Sequence, residues 1–142
     1  MTVDRELVTR KLLLISHDLD TLAPFATKPL APFLESRVDQ AVVERLLERM
    51  IGRMIDVNYH LLTEGGQPPP SDYHASFTRL AELTILAPDF ARRIASSAGL
   101  RNRLVHEYEE VDPRMLFESL QIARDDIVAY VQSVEAYLDR MS

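Results

Sequence analysis

The stretch Arg101-Asn102-Arg103-Leu104-Val105-His106-Glu107-Tyr108 gathers side chains that act on charged groups. An arginine presents a planar fork of donors that fits oxyanions such as phosphate. On a helical wheel at about 100° per residue, Ile94, Ala98 and Val105 mark an apolar face. Arg101 and Tyr108 fall on that same face, about 20° from one another. Asn102 and His106 are i, i+4 partners on its flank. A cation on an apolar arc is costly unless it is paired or lies at an interface. The flank pair sets an amide and an imidazole beside that charge, so the stretch reads as a polar site at the edge of a buried surface. Arg101 and His106 are five apart, hence about 140° around an ideal helix. A single straight helix cannot close both on one small group. Either the helix is distorted after Gly99, or two copies pair and build the site jointly.

The elements that must position this stretch are helical nearly throughout. Val8, Leu12, Ile15, Leu19 and Leu22 form one apolar stripe on a first helix. Pro24, Pro29 and Pro32 forbid a continuous helix, so residues 23–35 read as a connector. Val43, Leu47, Met50, Met54, Val57 and Leu61 mark a second helix from about Ser36 to Thr63, with a face wide enough to need two neighbours. Gly65-Gly66-Gln67-Pro68-Pro69-Pro70 breaks the chain. Ser71 or Asp72 caps a short third helix carrying Phe77, Leu80 and Leu83. Pro88 opens a fourth helix expected to run past Gly99 to Tyr108. Asp112-Pro113 starts a fifth, with a stripe from Leu116 through Leu120, Ala123, Ile127, Val131, Val134 and Leu138 to Met141. No segment alternates with period two, and no internal repeat is visible. The expected architecture is an all-α, five-helix bundle with three long helices, one domain over residues 1–142.

Composition narrows the chemistry. The chain has 142 residues and no Cys, which removes disulfides, thiolate metal sites and Cys nucleophiles. The four histidines, His17, His60, His74 and His106, show no i, i+4 pair and no HExxH pattern, so no metal site is expected. GxxxxGK[ST] and GxGxxG loops are absent, and no cofactor is expected. Ser16-His17-Asp18 holds the residue types of a hydrolase triad, but adjacent helical residues point in different directions. Net charge is −6, which argues against bulk attraction to nucleic acid or anionic lipid without excluding a local basic site. The longest aliphatic run, Leu12-Leu13-Leu14-Ile15, is far short of the roughly 20 residues that a bilayer span needs. With no secretory h-region at the start, a soluble, cytoplasmic protein is expected, with no membrane partner.

The segment from Arg101 to Tyr108 resembles the Arg-x4-His-x-Tyr motif of the HEPN superfamily, in its HepT-like branch. The core Arg101-Asn102-Arg103-Leu104-Val105-His106 carries the likeness. Met54-Ile55-Asp56-Val57-Asn58-Tyr59-His60-Leu61-Leu62 is similar to that family's second-helix segment, an apolar pair, an Asp and then a His four later. The order of long helices also fits. The resemblance implies a homodimer whose two motif helices meet in one cleft. It implies a metal-independent endoribonuclease toxin of a type VII toxin–antitoxin system, with RNA as substrate and an MntA-like nucleotidyltransferase antitoxin as partner. His106 would move the proton of the 2′-OH, and Arg101 would hold the phosphate, as catalytic residues. Asn102 and Asp56 would support them, although Asp56 and His60 read more simply as a structural pair. Tyr108 would receive AMP from the antitoxin. Arg103 falls on the far side of the ideal helix, where a backbone contact or a surface charge is expected. Glu107, Glu109, Glu110 and Asp112 make the surroundings acidic, with Arg92 and Arg93 as possible offsets. The alternative is a non-catalytic HEPN scaffold that binds a nucleotide or a partner protein.

Overall fold

The computed structural model describes residues 2–106 and 111–141. Among them every regular element is helical. The first helix, α1, spans Arg5–Ala26. Asp4 caps it by accepting from the Leu7 N–H at 3.0 Å, and Glu6 sits favourably in the first turn. Its stripe buries Val8, Leu12, Ile15 and Leu22 as expected, with Asp18 and Ala26 added.

The stretch expected as a connector is mostly helix. α1 carries Pro24 in its last turn, and a separate α2 forms at Leu30–Glu35. Proline is tolerated there because Pro29 is the N-cap and Pro32 lies in the first turn, where backbone N–H groups have no intrahelical partner. Phe33 is wholly buried and fixes α2 against the Phe117 ring, with centroids 5.4 Å apart.

α3 runs Arg37–Glu64, capped by Ser36, whose hydroxyl accepts from the Asp39 N–H at 3.1 Å. It ends in a Schellman motif: the Gln67 N–H reaches the Leu62 carbonyl at 2.9 Å and the Gly66 N–H reaches that of Thr63 at 3.2 Å. Gly66 adopts φ 83°, a conformation that favours glycine. α4, Tyr73–Thr78, is capped by Asp72 and passes into a 3₁₀ turn at Arg79–Ala81.

The fourth helix is broken. α5 covers Pro88–Ile94 and α6 covers Ser96–Val105. The interruption falls at Ala95, not after Gly99, and there the Ala98 N–H bonds three residues back to the Ala95 carbonyl at 3.1 Å. The expected continuation to Tyr108 fails at its described end, because His106 has left the helix with φ −82° and ψ 113°. Tyr108 lies outside the described residues. α7, Pro113–Arg140, begins as expected with Asp112 as cap and Pro113 as the first helical residue. Met141 was expected in its stripe but lies exposed beyond the helix end.

α1 runs antiparallel to both α3 and α7. Asp4 meets His60 and Asp18 meets Arg53, while Arg5 bonds the Leu138 carbonyl and the Ala26 carbonyl accepts from Gln121 at 2.9 Å. Among the described residues no helix is long and apolar enough to cross a membrane.

One buried polar chain joins α7 to α4 through α3. The Tyr130 hydroxyl lies 2.5 Å from Asn58 Oδ1, with the Met54 carbonyl 3.1 Å away. Asn58 Nδ2 donates to Ser76 Oγ at 3.1 Å, and Ser76 Oγ donates to the Tyr73 carbonyl at 2.6 Å. Burial pushes the Tyr130 phenol well above its ordinary pKa, so it stays a donor. Tyr130→Phe leaves Asn58 Oδ1 short of its donor and should cost about 1–3 kcal/mol. Urea denaturation of the variant checks this, with an unchanged midpoint as the contrary result.

Candidate active site

Three elements meet where the motif lies. α3 supplies Gly52, Ile55, Asp56 and Tyr59, the start of α4 supplies Tyr73, and α6 supplies Arg101. Together they line a recess of about 240 Å³. A second recess of about 450 Å³ adjoins it, lined by Tyr59, Tyr73, Asp72, His74, Gly99 and Asn102 among others. Tyr59 and Tyr73 belong to both and form the shared wall. Their rings meet edge to face, 6.3 Å apart at 81°.

Arg101 is half-buried, and its guanidinium carbon stands 5.2 Å from the centroid of the Tyr73 ring. This resolves the cost of a cation on an apolar arc: the ring quadrupole receives the charge. Among the described residues Arg101 makes no ion pair. It passes close to α3 at Gly52, where an added Cβ would stand 3.8 Å from Arg101 Nε, an ordinary van der Waals contact. A methyl group fits at that distance, and a longer side chain would compete with the guanidinium for the same space.

Asp56 and His60 do not pair with one another, contrary to the simplest expectation. Each ties α3 to α1 instead. Asp56 meets Lys11 at 3.3 Å, and His60 Nε2 accepts from the Asp4 backbone N–H at 2.9 Å. His60 therefore has a structural task at the start of α1, whereas Asp56 is exposed and also lines the Arg101 recess. Asn102 is exposed and lines the larger recess. His106 caps α6 in extended conformation, so the 140° wheel angle to Arg101 does not describe it, nor does the i, i+4 pairing with Asn102. His106 is exposed just past the helix end.

The other sequence candidates serve the fold. Asp18 is buried between Arg53 at 2.9 Å and Arg49 at 3.4 Å, so Ser16-His17-Asp18 is no triad. Arg93 meets Asp126 at 3.2 Å and Arg92 bonds Asp89. Neither is a spare cation for the motif. Arg103 is exposed, as expected, beside Ile122 and Asp126. Among the described residues no three His, Asp or Glu side chains gather as they would to hold a metal ion.

Tyr59, Tyr73 and Gly52 were not singled out in the sequence. Gly52 carried a usable signal, being the one glycine inside a 28-residue helix, a place where glycine often marks a close approach. Burial first, then Tyr73 and Asp72, push the Tyr59 phenol above its usual pKa, so its hydroxyl stays protonated beside the recess.

A family model described as Ribonuclease HepT-like matches residues 15–134. The chain belongs to the HepT-like family. It is 35% identical over 136 residues to the tRNA nuclease HepT of Aphanizomenon flos-aquae (strain 2012/KM1/D3), covering 96% of this chain and 92% of that one. It is 24% identical over 90 residues to the mRNA nuclease HepT of Shewanella oneidensis, covering 63% of this chain and 68% of the relative. Among solved structures, the tri-AMPylated Shewanella oneidensis HEPN toxin in complex with MNT antitoxin superposes with a TM-score of 0.83 at 20% identity, over 93% of this chain and 98% of that one. The HEPN fold is therefore shared along nearly the whole length.

Within this HepT-like fold the groove depends on Arg101 lying close to α3. Gly52→Ala should be neutral or stabilising by up to about 1 kcal/mol, because alanine favours a helix interior. Gly52→Leu should stay folded but displace the guanidinium from Tyr73. Thermal melts together with the affinity for an RNA oligonucleotide check the pair, and equal binding by the two variants would contradict the packing.

Proposed function

We propose that the chain is a metal-independent endoribonuclease toxin of a type VII toxin–antitoxin system, folded as one HepT-like domain over residues 1–142. The observation that carries this reading is the placement of Arg101. Its guanidinium is laid over the Tyr73 ring inside a recess, and His106 stands just past the end of the same helix. The 35% identity to a tRNA nuclease over nearly the full chain supports the choice of RNA.

The chemistry follows from the residue types. An imidazole can accept a proton on one ring nitrogen and, once protonated, give it up again. His106 takes the proton of a ribose 2′-OH, and the 2′-oxygen attacks the adjacent phosphorus. The bond from phosphorus to the 5′-oxygen breaks, and that oxygen leaves as a hydroxyl once it receives a proton. Arg101 holds the non-bridging oxygens with two parallel N–H donors while charge builds on them. Asn102 and Asp56 support the site, the first by orienting substrate and the second from the opposite wall. Pairing of two copies about a two-fold axis would bring a second His106 to the cleft. One imidazole then acts as base and the other as acid, which makes the homodimer part of the reaction.

Regulation is read from the same segment. A nucleotidyltransferase antitoxin of the MntA type would transfer AMP from ATP to the hydroxyl of Tyr108, two residues beyond His106, with pyrophosphate as the leaving group. The adenylyl phosphodiester adds bulk and negative charge, and Arg101 pairs with it instead of with RNA. The solved relative described as tri-AMPylated and bound to its MNT antitoxin supports this proposal.

His106→Ala and Arg101→Ala should each lower RNA cleavage by about 10²-fold or more with unchanged circular dichroism. Cleavage by the parent chain should survive EDTA. Loss of activity on chelation, restored by magnesium, would contradict the mechanism, and the absence of cleavage by the parent chain would favour the scaffold. Incubation with the partner enzyme and ATP should raise the intact mass by adenylyl units, and Tyr108→Phe should abolish the rise. An equal rise in both would exclude Tyr108 as the acceptor.

A further inference from the structure

We propose that the larger recess holds a nucleobase of single-stranded RNA next to the phosphate on Arg101, with Tyr73 as its stacking platform and specificity-determining residue. The inference rests on the ribonuclease reading and adds to it where the base beside the cut is read.

The two recesses differ in charge. The smaller one carries Arg101, and its one carboxylate, Asp56, is paired with Lys11. The larger one is lined by the Asp72 carboxylate and by no Lys or Arg. Phosphate therefore belongs on the Arg101 side, and the larger recess suits an uncharged group. Apart from two small residues of α6, its remaining lining is aromatic and hydrogen-bonding: the rings of Tyr59 and Tyr73, the Asn102 amide, the Ser71 hydroxyl and the His74 imidazole. A flat group with donors and acceptors around its edge matches that wall, and a base beside its own phosphate is such a group. Its volume of about 450 Å³ lies within the ordinary range for small-ligand sites.

Tyr73 is not needed to hold its helix. Ser76 and Phe77 are wholly buried and anchor α4, and Ser76 fixes the Tyr73 carbonyl. The Tyr73 side chain is 38% exposed, at the lip of both recesses. It is thus an outward-facing ring on a rigid base, which is how proteins present aromatic side chains to unpaired bases. The same ring carries the Arg101 guanidinium, so base and phosphate would be registered against one side chain. That register would select which residue of the RNA lies at the cut.

The chain has no Trp, so Tyr73→Trp introduces a single reporter at the lip. Its fluorescence should be quenched by a 2′-O-methyl RNA decamer, which cannot be cleaved, and not by an abasic ribose-phosphate decamer of equal charge. By anisotropy the base-bearing decamer should bind the parent chain about tenfold more tightly than the abasic one. Tyr73→Phe should keep that ratio and Tyr73→Leu should abolish it. Arg101→Gln should weaken both decamers alike. Cleavage sites mapped on a mixed-sequence RNA should also spread in Tyr73→Leu while staying unchanged in Tyr73→Phe. A parent chain that cleaves RNA while Tyr73→Leu keeps the full ratio and the same sites overturns the base site alone. A parent chain that neither binds nor cleaves RNA overturns both readings.

Discussion

Tyr130 is wholly buried, and its hydroxyl proton must find an acceptor inside the protein. It finds Asn58 on α3, Asn58 donates to Ser76, and Ser76 donates to the Tyr73 carbonyl. Every polar group on this path is satisfied, and none of the described buried side-chain polar atoms is left without a partner. In a low-dielectric interior such a chain is stabilising when complete and costly when broken. It therefore fixes the first turn of a six-residue helix that would have little stability alone. Tyr73 stands on that turn and Arg101 stands on Tyr73. The position of the motif arginine is thus set from the core outward.

The acidic balance of the chain acquires a local meaning. Arg49 and Arg53 are held by the buried Asp18, Arg93 by Asp126, Arg92 by Asp89, and Arg45 by Glu48. These arginines fasten helices or decorate their surfaces as pairs. Arg101 differs because an aromatic ring, which cannot neutralise it, is what holds it. A cation kept in place by a ring retains its donors for an incoming anion. The net charge of −6 argues against non-specific attraction to RNA and does not exclude a local cationic site.

Periodicity made the long helices legible because their apolar residues repeat for many turns. α1, α3 and α7 fall close to where Val8 to Leu22, Val43 to Leu61 and Leu116 to Leu138 put them. Caps were equally readable at Asp72 and Asp112, since a side-chain oxygen before a helical run has a local task. Short elements were harder. α2 was hidden by Pro29 and Pro32, which a helix start tolerates, and by Pro24, which falls in the last turn of α1; α5 and α6 were merged because Ala95 looks like any helical residue. The exit at His106 also replaces the ideal wheel on which Arg101 and His106 were held apart.

The sequence by itself determined the helical class, the long helices with their buried faces, and the motif stretch with its family resemblance. Those features depend on residues close in the chain, where spacing translates directly into geometry. Only the tertiary structure decided what the motif faces. Gly52 and Tyr59 from α3 and Tyr73 from α4 come from segments 49, 42 and 28 residues before Arg101, and nothing local links them to it. The same holds for Asp56 and His60, one turn apart on one helix and drawn separately to Lys11 and to the Asp4 backbone by a neighbour that the chain left many residues earlier. Packing of α1, α3, α4 and α6 chose those partners, because a side chain's environment is set by the elements folded against it and not by its place in the chain.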